Sequence, residues 1–381
     1  MCGIFGQLGN LEREIATRCL NTMTHRGPDG WGLWQGEGVT LGQRRLAILD
    51  LSENGKQPMS YAQGRYWITY NGEIYNFLEI RTELAAKGHH FRSESDTEVI
   101  LAAYAQWGAD CLPRFNGMWA FAIWDNVERT LFLARDRFGK KPLFYTALQG
   151  GGFAFASEMK ALLPLLPAAA PEHALIKGMT LRSSFAYEAT ENCLITGIKR
   201  LKAGHHGTVK DGRLTSRLWW NTLDHLPSVP NRYEEQVEML RALLLDACRL
   251  RMRSDVTIGT ALSGGLDSST VFSMLAHINR EHHGEARLAT DWQHAIVASF
   301  PGTPLESRLR REGRLLYDGR WERCTLFDVN YQPRGMSAEE LRTGFRGLAE
   351  RLYCEDIAKW RRENFNRKFL RPTSHCEEVL E

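Results

Sequence analysis

The chain has 381 residues, which is enough for two or three domains of ordinary size. Its 48 Lys and Arg nearly balance its 45 Asp and Glu, and a formal net charge of +3 argues against binding to nucleic acid or to a membrane surface. No apolar run is long enough to span a bilayer, and the N-terminus lacks the basic and apolar regions of a signal peptide, so we expect a cytoplasmic protein.

The eight cysteines are scattered along the chain. None of them forms a CxxC pair, and no cluster of histidines completes a zinc site. We therefore predict reduced thiols, most of them acting as small buried hydrophobic side chains, and no metal-ligating residues.

The first half of the sequence predicts a layered domain of the α/β or α+β class. A helix is predicted from Asp96, in the N-cap position, to Gly108, because apolar residues recur between them at helical spacing. Asn71-Gly72 has the composition of a turn that follows a strand. The strands are predicted from short aromatic and β-branched runs at 66–70, 118–124, 130–135, 143–145 and 153–156.

A linker and a domain boundary are predicted at 222–231, where Pro227 and Pro230 interrupt the pattern. This boundary is followed by a helix (233–253), a strand (256–262), a Gly-rich turn, a helix (268–278) and a strand (292–300). That order is the start of a doubly wound parallel sheet. After residue 302 arginine becomes frequent, and Ser337 and Glu340 have the spacing of a capping box that opens the first of two helices.

Cys2 is the first candidate for chemistry. Removal of Met1 would make Cys2 the N-terminal residue, with a thiol and a free α-amine on the same carbon. That amine, whose ordinary pKa is about 7.7–8.0, could take the thiol proton at neutral pH without a histidine. A cysteine at position two is weak evidence by itself, and a structural role explains it equally well until its partners are considered.

Those partners are six motifs, at 26–30, 43–48, 70–76, 95–98, 115–120 and 134–139. Together with Cys2 they resemble glutamine-hydrolysing asparagine synthetases over residues 1 to about 303. The resemblance implies an N-terminal-nucleophile αββα sandwich over 1–221, which is a class II glutamine amidotransferase domain. It implies a truncated doubly wound pyrophosphate-loop ATPase-type α/β domain over 232–303, whereas the helical, Arg-rich tail over 304–381 is not synthetase-like.

The resemblance also assigns roles in the first domain. Cys2 attacks the side-chain amide of L-glutamine, and the Asn71 side chain and the Gly72 N–H hold the oxyanion. Arg45 binds the α-carboxylate of glutamine in bidentate fashion. Asp96 accepts from the α-ammonium, a role that is compatible with a structural role as helix N-cap. The implied glutamine-binding set is Arg45, Asn71, Glu73 and Asp96.

A Gly-rich loop between a strand and a helix is the second candidate site. Glycines permit close backbone approach, and N–H groups with serine hydroxyls form an anion cradle. No Lys follows the glycines, which excludes a Walker A loop. The SGGxDS pattern resembles pyrophosphate loops that bind ATP, with Asp267 near Mg²⁺ and with Val297 and Ala298 either beside adenine or in the core. The predicted ATP-binding residues are Leu262, Ser263, Gly264, Gly265, Asp267, Ser268, Ser269 and Ala298.

The resemblance to the synthetases ends near 301–303. Residues 304 to about 372 instead resemble the C-terminal tail of cobalamin-binding radical-SAM enzymes. The CxxxCxxC motif of a 4Fe–4S centre is absent from the sequence, so we predict no radical chemistry. A doubly wound sheet interrupted after two strands leaves apolar faces that this tail would have to cover.

The implied function is glutamine-dependent asparagine synthesis. Glutamine is hydrolysed at Cys2, ATP activates L-aspartate as β-aspartyl-AMP, and ammonia displaces AMP to give asparagine. The resemblance implies ATP and Mg²⁺ as cofactors, L-glutamine and L-aspartate as the other substrates, and a homodimer. Because the synthetase half is incomplete in the sequence, three other interpretations stay open: a glutaminase only, a related ATP-dependent amide-forming enzyme, and a non-catalytic chimeric remnant.

Overall fold

The computed structural model describes residues 1–181, 190–210, 212–260, 266–281, 287–289, 292–294, 304–317 and 329–343. The chain divides into two units, Met1–Ser228 and Val229–Glu381. Several predictions fall outside the described residues: most of the Gly-rich loop, at 262–265, the pair Val297 and Ala298, and the tail helix near 355–369.

Two antiparallel sheets form the first unit in the described part of the chain. Their strands are β1 (Gly3–Leu8), β2 (Gly30–Gly36), β3 (Val39–Arg45), β4 (Met59–Tyr61), β5 (Tyr66–Ile74), β6 (Gly117–Asp125), β7 (Thr130–Arg135), β8 (Phe144–Ala147), β9 (Phe153–Ala156), β10 (Lys199–Arg200), β11 (His205–Lys210) and β12 (Arg213–Leu218). The spatial order is β10-β8-β9-β1-β3-β2 in the first sheet and β12-β11-β7-β6-β5-β4 in the second. The helices are α1 (Arg13–Asn21), α2 (Phe77–Ala86), α3 (Asp96–Trp107) and α4 (His173–Leu181).

Alternation along the strands sorts the side chains of this unit into layers. In β6, Ala122 faces the other sheet, whereas Phe121 packs towards α2 and α3. In β1, Ile4 lies between the sheets, whereas Phe5 packs with residues of α1. Each large apolar side chain buried in this way stabilises the fold by roughly 1.5–3 kcal/mol. The layer order is helix, sheet, sheet, helix, which confirms the predicted αββα sandwich.

The prediction of a turn at Asn71-Gly72 is wrong. Both residues lie inside β5, which continues to Ile74 because β6 pairs with it along its whole length. Gly72 lies opposite Trp119 in this pairing, and a Cβ on Gly72 would come within 2.4 Å of the Met118 carbonyl oxygen. The glycine is therefore explained by close approach of the neighbouring strand rather than by a turn.

The N-cap of α3 is also different from the prediction. The residue in the N-cap position is Ser95, whose hydroxyl accepts from the Thr97 N–H at 3.2 Å, and Asp96 is the first helical residue. The predicted end of the helix is correct, since Gly108 follows α3 with a φ of 57°, which favours glycine. The Asp96 carboxylate is thereby available for contacts other than capping.

The second unit contains α5 (Tyr233–Arg251), β13 (Ile258–Thr260), α6 (Leu266–Glu281), β14 (Trp292–His294) and α7 (Pro304–Arg311). β13 and β14 pair in parallel, with α6 between them in the sequence, as a doubly wound sheet requires. Three apolar side chains of α5 remain largely exposed: Val237 at 43%, Leu240 at 58% and Leu243 at 57%. The prediction that an interrupted sheet leaves apolar faces for the tail to cover stays a prediction, because these side chains belong to a helix and residues 344–381 lie outside the described part of the chain.

The predicted capping box in the tail is confirmed. The Ser337 N–H donates to the Glu340 carboxylate at 2.6 Å, and the Glu340 N–H donates to the Ser337 hydroxyl at 3.0 Å. Of the helices that the structure describes, none combines the length and apolar character that crossing a membrane requires.

Candidate active site

A cavity of about 220 Å³ lies where the N-terminus, the end of β3, the middle of β5 and the start of α3 meet. Its position follows from the layered fold, because these segments belong to both sheets and to the helix that covers the second one. The structure brings together all the residues predicted for the first site, and Cys2, Arg45, Asn71, Gly72, Glu73 and Asp96 all line the cavity.

The Cys2 thiol is held by the backbone of Leu46. The Leu46 N–H donates to Sγ at 3.4 Å, and the protonated thiol donates to the Leu46 carbonyl oxygen at 3.5 Å. The Arg26 Nε–H donates to the Cys2 carbonyl at 2.9 Å, while Arg26 Nη1 pairs with Glu158 at 3.0 Å. Burial raises the pKa of the Cys2 thiol, and the Leu46 N–H together with nearby positive charges acts in the opposite direction.

The loop before β2 is packed tightly against β3. A Cβ on Gly27 would lie 2.3 Å from the backbone carbonyl carbon of Arg44, so a larger residue would displace the strand. The Ala47 N–H donates to the Asp29 carboxylate at 2.9 Å. These contacts fix the backbone around Leu46 and thereby the two groups that hold the thiol.

The outer edge of β5 has a neighbouring strand, β4, only over its first three residues. Further along, side chains take the place of a strand: Gln57 Oε1 accepts from the Tyr70 N–H at 2.7 Å, and Asp96 Oδ2 accepts from the Ile74 N–H at 2.9 Å. Since N–H groups two residues apart in a strand point the same way, the Gly72 N–H points to this edge as well. Gly72 lines the cavity there and offers it a backbone donor.

Asn71 offers a second donor. Its side chain is only 1% exposed, and its Nδ2 has no hydrogen-bond partner among the described residues. A buried amide without a partner costs about 1–3 kcal/mol, which a ligand oxygen would relieve. The two consecutive residues therefore present one side-chain donor and one backbone donor to a negatively charged or strongly polarised oxygen.

Arg45, at the end of β3, carries a positive charge whose protein partners are neutral. Its guanidinium donates to the carbonyl oxygens of Ser52 at 3.1 Å, Leu49 at 3.4 Å and Asp50. A Cβ on Gly55 would lie 2.5 Å from the Asp50 carbonyl oxygen and 2.3 Å from Arg45 Nη2, so a larger residue would displace the backbone that holds this guanidinium. Within the described ranges Arg45 forms no ion pair, and burial lowers its pKa. The arrangement suits a carboxylate ligand.

Asp96 is the buried carboxylate of the cavity, at 4% exposure. Its Oδ2 accepts from the Tyr70 hydroxyl at 2.8 Å and from the Ile74 N–H, whereas Oδ1 has a long contact with the Ser95 hydroxyl at 3.4 Å. Burial raises the pKa of Asp96 to about 6, although these hydrogen bonds favour the ionised form. Oδ1 is thus the oxygen with capacity for a cationic ligand, and the half-buried Glu73 lines the same cavity.

Lys141 also lines the cavity, although the sequence did not single it out. It is 4% exposed, while the adjacent Lys140 is exposed. The feature of the sequence that could have indicated Lys141 as a site residue was its position just after the motif at 134–139. The sequence does not indicate which of the two neighbouring lysines is buried. Only the packing of the chain after β7 distinguishes them.

The second predicted site is only partly described. Asp267, Ser268 and Ser269 lie in the first turn of α6, and Asp267 is exposed. No group of three or more His, Cys, Asp or Glu side chains that could hold a metal ion occurs among the residues that the structure describes. A cavity of about 440 Å³ in the second unit includes Ser269, but its remaining lining comes from side chains of α5 and α6.

We expect Asp96→Asn to stabilise the protein increasingly as the pH rises. The carboxyl group has a pKa of about 6 in the fold against an ordinary 3.8, so the folded state binds its proton more tightly and ionisation costs stability. This cost is about 3 kcal/mol well above pH 6 and disappears as the pH falls below the unfolded-state pKa. The amide oxygen still accepts from Tyr70 and Ile74 without carrying a charge.

Free energies of unfolding of both proteins over a pH series measure this difference. The exposed Asp110→Asn serves as the control and should show no such trend. A gap between Asp96→Asn and the unsubstituted protein that stays constant with pH would contradict the assignment of a raised pKa to this carboxyl.

Different family models match different parts of the chain. Residues 1–220 match the model of the glutamine amidotransferase domain, and residues 239–303 match that of asparagine synthase. Residues 303–375 match a domain of unknown function, DUF4070, so the predicted resemblance of the tail to radical-SAM enzymes stays a prediction.

The chain is similar to asparagine synthetase (glutamine-hydrolyzing) 3 of Bacillus subtilis, at 38% identity over 76% of this chain and 47% of that protein. It is 35% identical to a putative asparagine synthetase (glutamine-hydrolyzing) 2 of Methanocaldococcus jannaschii, over 72% of this chain and 57% of that protein. The chain thus spans about half the length of the curated relatives it matches.

Among solved structures, the glutamine phosphoribosylpyrophosphate amidotransferase from B. subtilis complexed with ADP and GMP matches with a TM-score of 0.44 and 16% identity, over 82% of this chain and 70% of that one. The family assignment rests on the match to the glutamine amidotransferase domain, which covers residues 1–220 of the 381 at the level of the sequence. On that ground, the chain belongs to the glutamine amidotransferase family, with part of an asparagine synthase domain joined to it.

Proposed function

We propose that the first unit hydrolyses glutamine to glutamate and ammonia. The observation that carries this proposal is the pair of donors at Asn71 and Gly72, one of them buried without a partner, in the same cavity as the Cys2 thiol. Arg45 and Asp96, which offer opposite charges in that lining, match the two charged groups on the α-carbon of an amino acid.

The nucleophile in this proposal is the thiolate of Cys2, freed for catalysis by removal of Met1. The α-amine of Cys2 takes the thiol proton, and Sγ attacks the side-chain carbonyl carbon of glutamine. The tetrahedral intermediate collapses to a thioester, and the proton passes from the amine to the departing nitrogen, which leaves as ammonia. Water, deprotonated by the same amine, then cleaves the thioester to release glutamate and restore the thiol.

The oxyanion of the intermediate is held by Asn71 Nδ2 and the Gly72 N–H. Both donors are fixed before the substrate binds, because they belong to a strand paired along its length with β6. A fixed donor costs no reorganisation during the reaction, and removal of one such donor typically lowers kcat by about 10²–10³-fold.

The substrate is positioned by its charged end. The Arg45 guanidinium binds the α-carboxylate, and Asp96 Oδ1, with Glu73 nearby, accepts from the α-ammonium. The raised pKa of Asp96, to about 6, means that the carboxylate is ionised at neutral pH and becomes protonated below about pH 6. Glutamine binding in this proposal therefore weakens in acid, since the neutral acid no longer attracts the ammonium.

Cys2→Ala should abolish glutamate release from glutamine and leave the fold intact, because the side chain is small and its hydrogen bonds within the described structure are with the Leu46 backbone. The measurement is glutamate production, with circular dichroism as the check on folding. Cys248→Ala, in the second unit, is the control and should keep full activity. Hydrolysis that persists in Cys2→Ala at the unsubstituted rate would refute the assignment.

Arg45→Lys should raise KM for glutamine roughly tenfold to a hundredfold with a smaller change in kcat, because a lysine cannot form the bidentate contact. Arg44→Lys is the matched control. Its guanidinium donates to Asn21 and to the Leu20 carbonyl, on the face of β3 that packs against α1. The measurement is the KM and kcat for glutamine of both variants by steady-state kinetics. Equal KM values for the two would show that Arg45 does not bind the carboxylate.

We propose further that the second unit supplies the ATP end of an asparagine synthetase site, in keeping with the match at 239–303. In this proposal residues 1–221 form the amidotransferase domain, residues 232–303 the partial synthetase domain and residues 304–381 an added tail. The predicted loop, from Leu262 to Ser269, binds ATP. Asp267 would meet the Mg²⁺ that accompanies the phosphates and neutralises their charge. A cytoplasmic location and a homodimer remain predictions.

In a complete site of this kind, aspartate would be activated as β-aspartyl-AMP, and ammonia would displace AMP to give asparagine. This chain alone is expected to form glutamate at a rate independent of ATP and aspartate, and to form no matching pyrophosphate, because its match to the synthase covers only 239–303. The measurement is glutamate, asparagine and pyrophosphate release with Mg–ATP and aspartate present or omitted.

Ammonium chloride in place of glutamine is the control, since it bypasses transfer of ammonia from the first unit. Asparagine and pyrophosphate formed in equal amounts from either nitrogen source would show that the synthetase site in this chain is complete. Pyrophosphate formed with an acceptor other than aspartate would point to a related amide-forming enzyme instead.

A further inference from the structure

Lys141 is the buried charge in the cavity that the proposed reaction does not use. Its backbone is tied down on both sides: its N–H donates to the Asp136 carboxylate at 3.0 Å, and its carbonyl accepts from Arg135 Nε at 2.7 Å. Arg135 and Asp136 are themselves 4% and 1% exposed. The side chain of Lys141 therefore starts from a fixed point at the cavity that contains Cys2.

The ammonium of Lys141 donates no hydrogen bond and forms no ion pair with any described residue. A buried cation without a hydrogen bond or an ion pair destabilises the fold unless a nearby anion compensates its charge. The charges that face it are Glu73, Cys2 and Asp136, which favour the ammonium, and Arg26, which opposes it. Burial outweighs the favourable charges and lowers the pKa of Lys141. A thiolate on Cys2 is thus a partner that the position of Lys141 would stabilise.

The positive charges that act on the Cys2 thiol in the structure are the N-terminal amine of Met1, Arg45 and Lys141. Removal of Met1 leaves the α-amine of Cys2 in its place, and this amine must be neutral to accept the thiol proton. The charge of Arg45 is paired with the substrate carboxylate once glutamine binds. Of these groups in the described structure, Lys141 is the one that neither accepts the thiol proton nor pairs with the substrate in the proposed reaction. Two carboxylates oppose these charges: Asp29 acts on the N-terminal amine and Glu73 acts on Lys141. Their negative charge disfavours a thiolate.

We propose that Lys141 is a positioning residue that stabilises the thiolate of Cys2 through its positive charge. This inference rests on the proposed glutaminase function, but its test does not require turnover of glutamine. Lys141 acts on the nucleophile rather than on the substrate. Loss of its charge should therefore change kcat and the reactivity of the thiol, and should not change KM.

The test is the rate at which iodoacetamide alkylates Cys2, followed over a pH series by mass spectrometry of the N-terminal peptide. The variants are Lys141→Met, which removes the charge, Lys141→Arg, which keeps it, and Lys140→Met as the neighbouring control. The same spectra report whether Met1 has been removed. Circular dichroism reports folding, and Lys141→Gln replaces Lys141→Met if the latter does not fold.

Loss of the charge should move the pH midpoint of alkylation upwards by about one unit, which lowers the rate at neutral pH about tenfold. Lys141→Arg should restore the midpoint, and Lys140→Met should leave it unchanged. A Lys141→Met or Lys141→Gln profile that superimposes on that of the unsubstituted protein would overturn the proposal, as would an effect confined to KM for glutamine. A protein that fails to hydrolyse glutamine but shows the shifted midpoint would refute the proposed function and leave this inference standing.

Discussion

The outer edge of β5 is the constraint on which the candidate site depends. Buried backbone N–H groups need partners, and the neighbouring strand β4 covers only the first three residues of β5. Gln57 and Asp96 supply acceptors on either side of Gly72, so the strand stays regular without a neighbour. A longer β4 would have satisfied every N–H along this edge and would have closed the position from which Gly72 faces the cavity.

The same edge concentrates polar groups that are costly to bury. Asn71 has an amide nitrogen without a partner among the described residues, Asp96 has a raised pKa, and Lys141 has a lowered one. The unpartnered amide costs about 1–3 kcal/mol, and the two buried charges add to that cost, which the three apolar layers of the sandwich offset. Such groups are held in place before any ligand arrives, and this is the condition under which fixed dipoles stabilise a developing charge most effectively.

The second unit differs from the first in how its apolar side chains are covered. Parallel strands need apolar cover on both faces, and the described part of this unit provides a small core around Met252, Leu275 and Ile278. Leu240 and Leu243 of α5 stay more than half exposed. This agrees with a match to asparagine synthase that is confined to 239–303 and with relatives about twice as long as the matched region. None of the residues of this small core lines the cavity that contains Cys2.

Much of the fold could be predicted because it follows from local patterns. Short aromatic and β-branched runs located the strands at 130–135 and 153–156, and helical spacing with a terminal glycine located the end of α3. The motifs named Cys2, Arg45 and Asp96 as site residues, because their types and order are specific to one chemistry. The structure places all three in one cavity.

Other features were decided only by tertiary structure. Asn71-Gly72 has the composition of a turn, but pairing with β6 keeps both residues in a strand. In that strand each of them presents a hydrogen-bond donor to the cavity. Lys140 and Lys141 are alike in sequence, and only the packing after β7 buries the second. The sequence by itself determined which residue types are available and which segments are strands or helices. Which donors lack partners and which charges are buried was decided by contacts between segments far apart in the chain, and local composition does not encode those contacts.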